Sequence, residues 1–382
     1  MISSGSVHDR SIDRQLAFAL DISPGAWVAA GSADHQDVAA AYRQAVDRTI
    51  EVGRIADRAG IESLWAPEDP DGWDAFTVLG AIARETEHIR IGTGVTNPYY
   101  RHPSLIAASL STLDALSNGR AFLGLGRGQT EWYKHALGMQ IGKPIRALNE
   151  TIDLLHQWWD VPSTATSTED ATEFAIDSWK RVIRPVQTRV PIYLAAAGPQ
   201  AQRLAGRTTD GVLFNDLSSS HFMATSIADV CAAAEAAGRN PATLRFFARA
   251  AVRITDDPEA VYESRKSTIA IIHALPGMER LLISPGFDID QIMDDVRKVM
   301  NTDEILARGG AFSDLRTGGD IEAAKRLIPT DLMRELVIAG SIEDVRVRLA
   351  DLHDIGITDV FLAAQGPEVT VESLGELLTS LR

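Results

Sequence analysis

The sequence predicts an α/β fold, specifically a (β/α)8 barrel, and three observations point there. Eight short, nearly unalternating apolar runs recur along the 382 residues, the pattern of parallel strands buried on both faces. Segments with helical spacing lie between most of them, and several end at a glycine, which takes up the left-handed position after a helix without a Cβ clash. No break in composition divides the chain, so a single barrel domain over 1–382 accounts for the eight units better than a doubly wound sheet.

The first run, Leu16–Asp21, follows a polar stretch of mixed charge that reads as a flexible tail over 1–13. The second, Glu62–Ala66, begins just after Gly60, where the helical pattern of Val46, Ile50 and Ala56 stops. Ile89–Thr93 is the third, and Ala121–Leu125, behind Gly119, is the fourth. Pro191–Ala195 comes fifth, beyond an interval near 160–178 rich in Ser, Thr and acidic residues. Gly211–Phe214 is introduced by Asp210, and Arg245–Val252 is the seventh run. The eighth, Asp359–Ala363, stands behind Gly356 and beyond a long interval near 256–335. Insertions that follow strands sit at the active-site mouth of such a barrel, so both long intervals are candidate lids.

Composition narrows the function. Apolar residues make up 45% and charged ones 23%, a globular mixture. With 52 acidic against 37 basic residues the net charge is −15, which argues against nucleic acid or an anionic membrane as partner. The lone Cys231 excludes an internal disulfide and any CxxC site. An apolar run of ~18 residues or a cleavable leader is not found, so a cytoplasmic protein acting on a small molecule is expected. Gly124-Leu125-Gly126-Arg127-Gly128 ends in Gln129 where a dinucleotide fingerprint needs Gly or Ala. There is no P-loop lysine motif, no HExxH and no GxSxG, and the nine histidines are scattered singly, so no metal site is expected.

Chemistry concentrates at three strand ends. Trp65-Ala66-Pro67-Glu68-Asp69-Pro70 places two adjacent carboxylates after the second strand. Desolvation and like charge would raise one pKa toward the range of a general acid or base, while a helix cap with an ion pair would serve equally well. After the third strand stands Gly92-Thr93-Gly94-Val95-Thr96-Asn97-Pro98-Tyr99-Tyr100-Arg101-His102-Pro103, and after the fifth Ala196-Ala197-Gly198-Pro199.

The first of these two stretches resembles the luciferase-like superfamily, in its branch using the deazaflavin coenzyme F420. Methylenetetrahydromethanopterin reductase-like members carry a nearly identical segment, and the blocks from Ser109 to Gly128 and from Gly340 to Val345 are similar to the same pattern. The resemblance implies a bacterial luciferase-like barrel, a homodimer, and hydride transfer between coenzyme F420 and a small organic substrate. It implies a non-prolyl cis peptide at Gly94–Val95 that presses on the coenzyme ring, and an Asn97 amide at the ring's polar edge. It further implies Ala196, Ala197 and Gly198 as the phosphate site, where small residues and a proline at the first helical position leave backbone N–H groups open. Arg127 and Gly128 would line the same face, and Glu68 and Asp69 would be the proton carriers. The family's sugar-phosphate dehydrogenases have His where Asp69 stands and Glu where Gln129 stands, so a sugar phosphate is not the expected substrate. An FMN-dependent monooxygenase using oxygen is the alternative within the superfamily, and a barrel that only binds the coenzyme is the alternative outside catalysis.

Overall fold

The computed structural model describes residues 16–22, 35–68, 72–135, 137–310, 312–363 and 369–381. The expected N-terminal tail over 1–13 and Asp69 therefore lie outside the described residues. The eight runs form eight parallel strands: β1 (Ala17–Asp21), β2 (Ser63–Ala66), β3 (Arg90–Thr93), β4 (Ala121–Leu125), β5 (Ile192–Ala195), β6 (Gly211–Phe214), β7 (Arg245–Ile254) and β8 (Asp359–Leu362). They pair in chain order, and the ring closes where Ala17 lies beside Asp359 and Leu20 beside Leu362. The predicted (β/α)8 barrel is thus the observed fold.

Eight helices surround it: α1 (His35–Ala59), α2 (Ala75–Glu85), α3 (Pro103–Leu116), α4 (Pro144–Trp159), α5 (Pro199–Thr208), α6 (Ser220–Ala236), α7 (Ile342–Asp354) and α8 (Val371–Leu381). Their starts are written in the sequence. Asp74 accepts from the Thr77 N–H at 2.8 Å, Ser219 from Phe222 at 3.0 Å, and Ser341 with Asp344 closes a reciprocal capping box. Cys231 is buried in α6, and Trp158 and Trp159 pack their rings into the layer between barrel and helices. Trp158 finds an acceptor for its indole N–H in the Trp179 carbonyl, 2.9 Å away.

Between α4 and β5 a two-stranded antiparallel hairpin pairs Thr164–Ala165 with Trp179–Lys180. Between β7 and β8 lie helices at Pro258–Thr268, Ile289–Met300, Thr302–Ala307, Ile321–Leu327 and Thr330–Leu336. The two-residue strand Ala339–Gly340 then pairs with the end of β7. No described helix is long and apolar enough to cross a membrane.

Inward residues alternate along each strand, and in β7 they are Arg245, Phe247 and Arg249. Phe247 belongs to an aromatic layer with Trp65, Phe122, Tyr193 and Phe361 that fills the barrel. The Trp65 ring lies 4.3 Å from Phe122, 4.8 Å from Phe247 and 5.6 Å from Phe361, centroid to centroid. Its N–H donates to the Ser63 hydroxyl at 2.9 Å, so the buried indole leaves no unpaired donor. Below the layer, Arg245 holds the buried Asp359 and reaches Glu62 at 3.1 Å. Above it lies the mouth.

Candidate active site

The mouth opens over the aromatic plug. A glycine at 94 suits this close approach, since a Cβ would come within 2.9 Å of the Arg249 guanidinium and 3.0 Å of the Trp65 Cβ. The peptide bond from Gly94 to Val95 is cis, as the resemblance implies, and Val95 packs partly buried on the aromatic layer. Above Val95 lies a cavity of about 270 Å³. Its wall includes Glu68, Gly94, Val95, Asn97, Arg127 and Gly128, and it continues over Ala196, Ala197, Phe214 and Met278. The ends of six strands, β2 to β7, line this hollow, which is where an α/β barrel places its ligand.

The strand-end residues do different work. Asn97, almost wholly buried, accepts from the Tyr99 and Tyr100 N–H groups at 3.1 and 2.8 Å and donates to the Tyr133 hydroxyl at 3.0 Å. Its carbonyl side therefore caps the following turn, and only the remaining amide hydrogen is open to a ligand. Gly128 sits at φ +64°, and a Cβ there would strike the Tyr133 hydroxyl at 2.4 Å. Tyr133 is itself buried under that loop. Arg127 is exposed at the rim, without a charged partner among the described residues.

At the end of β5, Ala196 and Ala197 run into Gly198, the N-cap of α5, which offers no side chain to the helix's first N–H groups. Pro199 occupies the first helical position. The Arg280 guanidinium lies 3.3 Å from where a Gly198 Cβ would stand, and its buried Nε has no acceptor. Open amides and a cation without an acceptor form a cradle of the right charge for an anionic group.

Glu68 is buried and held on three sides. The Arg101 Nε donates to both carboxylate oxygens at 2.8 Å, its Nη2 lies 2.7 Å from Oε1, and the Thr96 hydroxyl donates at 2.5 Å. Arg101 also pairs with Asp74 and covers the Phe76 ring. Such a bidentate clamp fixes the geometry of the β2 and β3 loops. The structure places the ion-pair reading at Glu68, with the carboxylate facing the cavity but engaged by its neighbours.

Two residues at the ends of β1 and β7, of which Arg249 lines the cavity, escaped the sequence reading. Arg249 donates to the Gly94 carbonyl at 2.8 Å and to Asp21 Oδ1 at 2.8 Å, with its guanidinium over the Phe361 ring. Burial pushes the Asp21 carboxyl up to about 6 against the pull of Arg249, and the negative charge of Asp216 adds to the rise. The signal was present in both cases. Asp21 is a carboxylate closing an apolar strand at its C-terminal end, and Arg245 and Arg249 are cations at even spacing in an otherwise apolar run. Among the described residues no cluster of His, Cys, Asp or Glu could hold a metal ion.

Fold and site together define an α/β barrel with a hollow at its strand ends, lined by glycines and by Glu68, Arg127 and Arg249. The model of the luciferase-like monooxygenase family matches residues 25–359, and the chain belongs to that family. It is 29% identical over 311 residues to the 5,10-methylenetetrahydromethanopterin reductase of Methanolobus tindarius, covering 80% of this chain and 87% of that one. It is 32% identical over 228 residues to the F420-dependent hydroxymycolic acid dehydrogenase of Mycobacterium tuberculosis, covering 56% of this chain and 61% of that one. The coenzyme F420-dependent tetrahydromethanopterin reductase of Methanopyrus kandleri superposes with a TM-score of 0.67 at 22% identity, over 95% of this chain and 97% of the other, a likeness of fold.

Proposed function

We propose that this protein is an oxidoreductase that moves a hydride between coenzyme F420 and a small organic substrate. The observation that carries the reading is the cavity seated on Val95, with the Ala196–Ala197 strand end on one side and Arg249, which binds the Asp21 carboxylate, on another. The relatives named for F420 support it. Val95 would meet the face of the ring, and Gly126 and Gly128 would leave room for its edge. Ala196, Ala197, Gly198 and Arg280 would hold the phosphate of its side chain. When bound, the deazaflavin supplies a two-electron donor or acceptor.

The chain's own part is the proton. Reducing a C=O, C=N or C=C group with a hydride leaves one proton to be delivered, and the reverse reaction leaves one to be taken up. Asp21 is the group suited to this, with a carboxyl near 6 at the end of β1. Glu68 and Arg101 hold the loops that frame the hollow. Arg249 ties Asp21 to the Gly94 carbonyl, so the acid and the floor move as one unit.

A fluorescence titration of the purified protein with coenzyme F420 and, in parallel, FMN tests the coenzyme. Micromolar or tighter binding of the deazaflavin with no comparable binding of FMN is expected. Preference for FMN would overturn the reading and move the protein to oxygen-dependent chemistry. Gly198→Val, which crowds Arg280 and the helix start, should weaken F420 binding more than tenfold; unchanged affinity would place the phosphate elsewhere.

A further inference from the structure

A second cavity opens beside the one over Val95. Its volume is about 390 Å³, and Arg127 and Gln129 line both hollows, which therefore adjoin at the loop after β4. That loop and the short helix Thr130–His135 form part of its wall. The insertion between β7 and β8 supplies the rest, through Leu275, Asp303, Leu306 and Ala307 among others. The two parts come close together at the edge, where a Cβ on Gly309 would stand 3.3 Å from the His135 Cβ. A cavity of this size at a barrel mouth suits a small molecule.

The wall is chemically divided. From the β4 loop come a guanidinium, an amide and a hydroxyl. Arg127 has no charged partner among the described residues, and there the Gln129 amide and the Thr130 hydroxyl make no hydrogen bond, although Thr130 is only 7% exposed. From the insertion come aliphatic side chains and one carboxylate, Asp303, which makes no ion pair among the described residues. Arg297 and Lys298 share a neighbouring groove with Asp303, but Glu279 holds the first at 2.6 Å and Asp295 the second at 3.0 Å. Arg127 and Asp303 thus face the cavity as one open charge of each sign.

Charge decides the class of ligand. A carboxylate alone would leave Asp303 facing a like charge, and an ammonium alone would do the same to Arg127. A zwitterion meets both with opposite charge. Leu275, Leu306 and Ala307 remain for an aliphatic portion. The cradle at Gly198 has its own cation in Arg280, which leaves Arg127 to this second hollow.

We propose that this cavity is the recognition site of the substrate and takes an aliphatic amino-acid group, its carboxylate on Arg127 and its ammonium on Asp303. The reacting part of the molecule then reaches the floor at Val95 past Gln129. Calling the ligand a substrate rests on the oxidoreductase reading; the binding itself does not.

Isothermal titration calorimetry of the full chain without coenzyme tests it, with three probes of one shape. These are L-leucine, isocaproate, which lacks the ammonium, and isoamylamine, which lacks the carboxylate. Leucine should bind, and each analogue about tenfold more weakly or worse. Arg127→Gln should weaken leucine by a similar factor and spare isoamylamine, while Asp303→Asn should weaken leucine and tighten isocaproate. A merely local disturbance would not produce that reciprocal pattern. Ala307→Trp, which fills the cavity from an exposed helix position, should abolish leucine binding with F420 affinity kept within a few-fold. Leucine should still bind when F420 is saturating. If F420 fails to bind and this pattern stands, the coenzyme reading alone is lost. The proposal is overturned if leucine does not bind, if the three probes bind equally, or if the variants lack the reciprocal pattern. Exclusion of leucine by F420 overturns it as well, since the cavity would then belong to the coenzyme.

Discussion

Arg245 and Arg249 stand four residues apart on the same face of β7, each paired with an aspartate from another barrel strand, Asp359 on the adjacent β8 and Asp21 on β1 one strand further on, and each lying over an aromatic ring. At the closed end, Arg245 grips an Asp359 with no exposed side-chain surface, and Glu62 and the Thr358 hydroxyl complete the cluster. At the open end, Arg249 shares itself between Asp21 and a backbone carbonyl, and the Asp21 side chain keeps 29% of its surface exposed. One pair is enclosed and saturated with partners; the other is left partly open with a carboxyl that titrates near neutrality. The same two residue types therefore make an enclosed ion pair at the closed end of a strand and a solvent-reached one at the mouth.

The largest effect should come from breaking the closed pair. Arg245→Ala leaves Asp359 buried without its cation, a change worth about 3–5 kcal/mol. Urea unfolding should show that loss, while F420 affinity of the remaining folded protein stays within a few-fold of wild type. Asp21→Asn should do the reverse. Turnover should fall by about 100-fold or more with only a minor change in unfolding free energy; full turnover in that variant would remove Asp21 as the proton carrier. Glu68→Gln sharpens the division, since it should destabilise by about 1–3 kcal/mol through the Arg101 clamp and lower turnover less than Asp21→Asn does.

A smaller effect is expected at the floor. Gly94→Ala places a methyl 2.9 Å from the Arg249 guanidinium and should weaken F420 binding about tenfold, read by titration. The smallest is a matter of pH. The Asp21 carboxyl sits at about 6 against an ordinary 3.8, so the folded state holds this proton more tightly than the unfolded chain. Its contribution to stability is complete below pH ~4 and is lost as the pH rises through about 6. Wild type should therefore lose stability relative to Asp21→Asn across that window, and a flat difference would mean that burial does not raise this carboxyl. In the reducing direction turnover should decline above about pH 6, where the proton is no longer held.

The barrel was legible because its strands are short apolar runs whose burial on both faces leaves little choice of fold. All eight runs were located to within two residues of their observed ends, and the glycines before several of them sit at positive φ, as at Gly60, Gly119 and Gly356. The site was legible where backbone alone determines it. Gly94 and Gly128 mark close approaches that crowd out a side chain, and local sequence shows these. Glu68 was harder to read, because its role depends on Arg101, 33 residues away, turning back onto it. Asp21 with Arg249 was hidden for the same reason, as 228 residues separate two groups that meet only when the ring closes. Periodicity gives the face of a strand but not the partner across a barrel.

The even spacing of Arg245, Phe247 and Arg249 has an evolutionary consequence. A single inserted or deleted residue inside that stretch would turn one arginine out of the lumen and into the helix layer. The segments at the mouth can lengthen, shorten and change composition without touching this register. Descendants of this chain are therefore free to rebuild the rim, while the stretch from Arg245 to Arg249 is held to both its residues and their count.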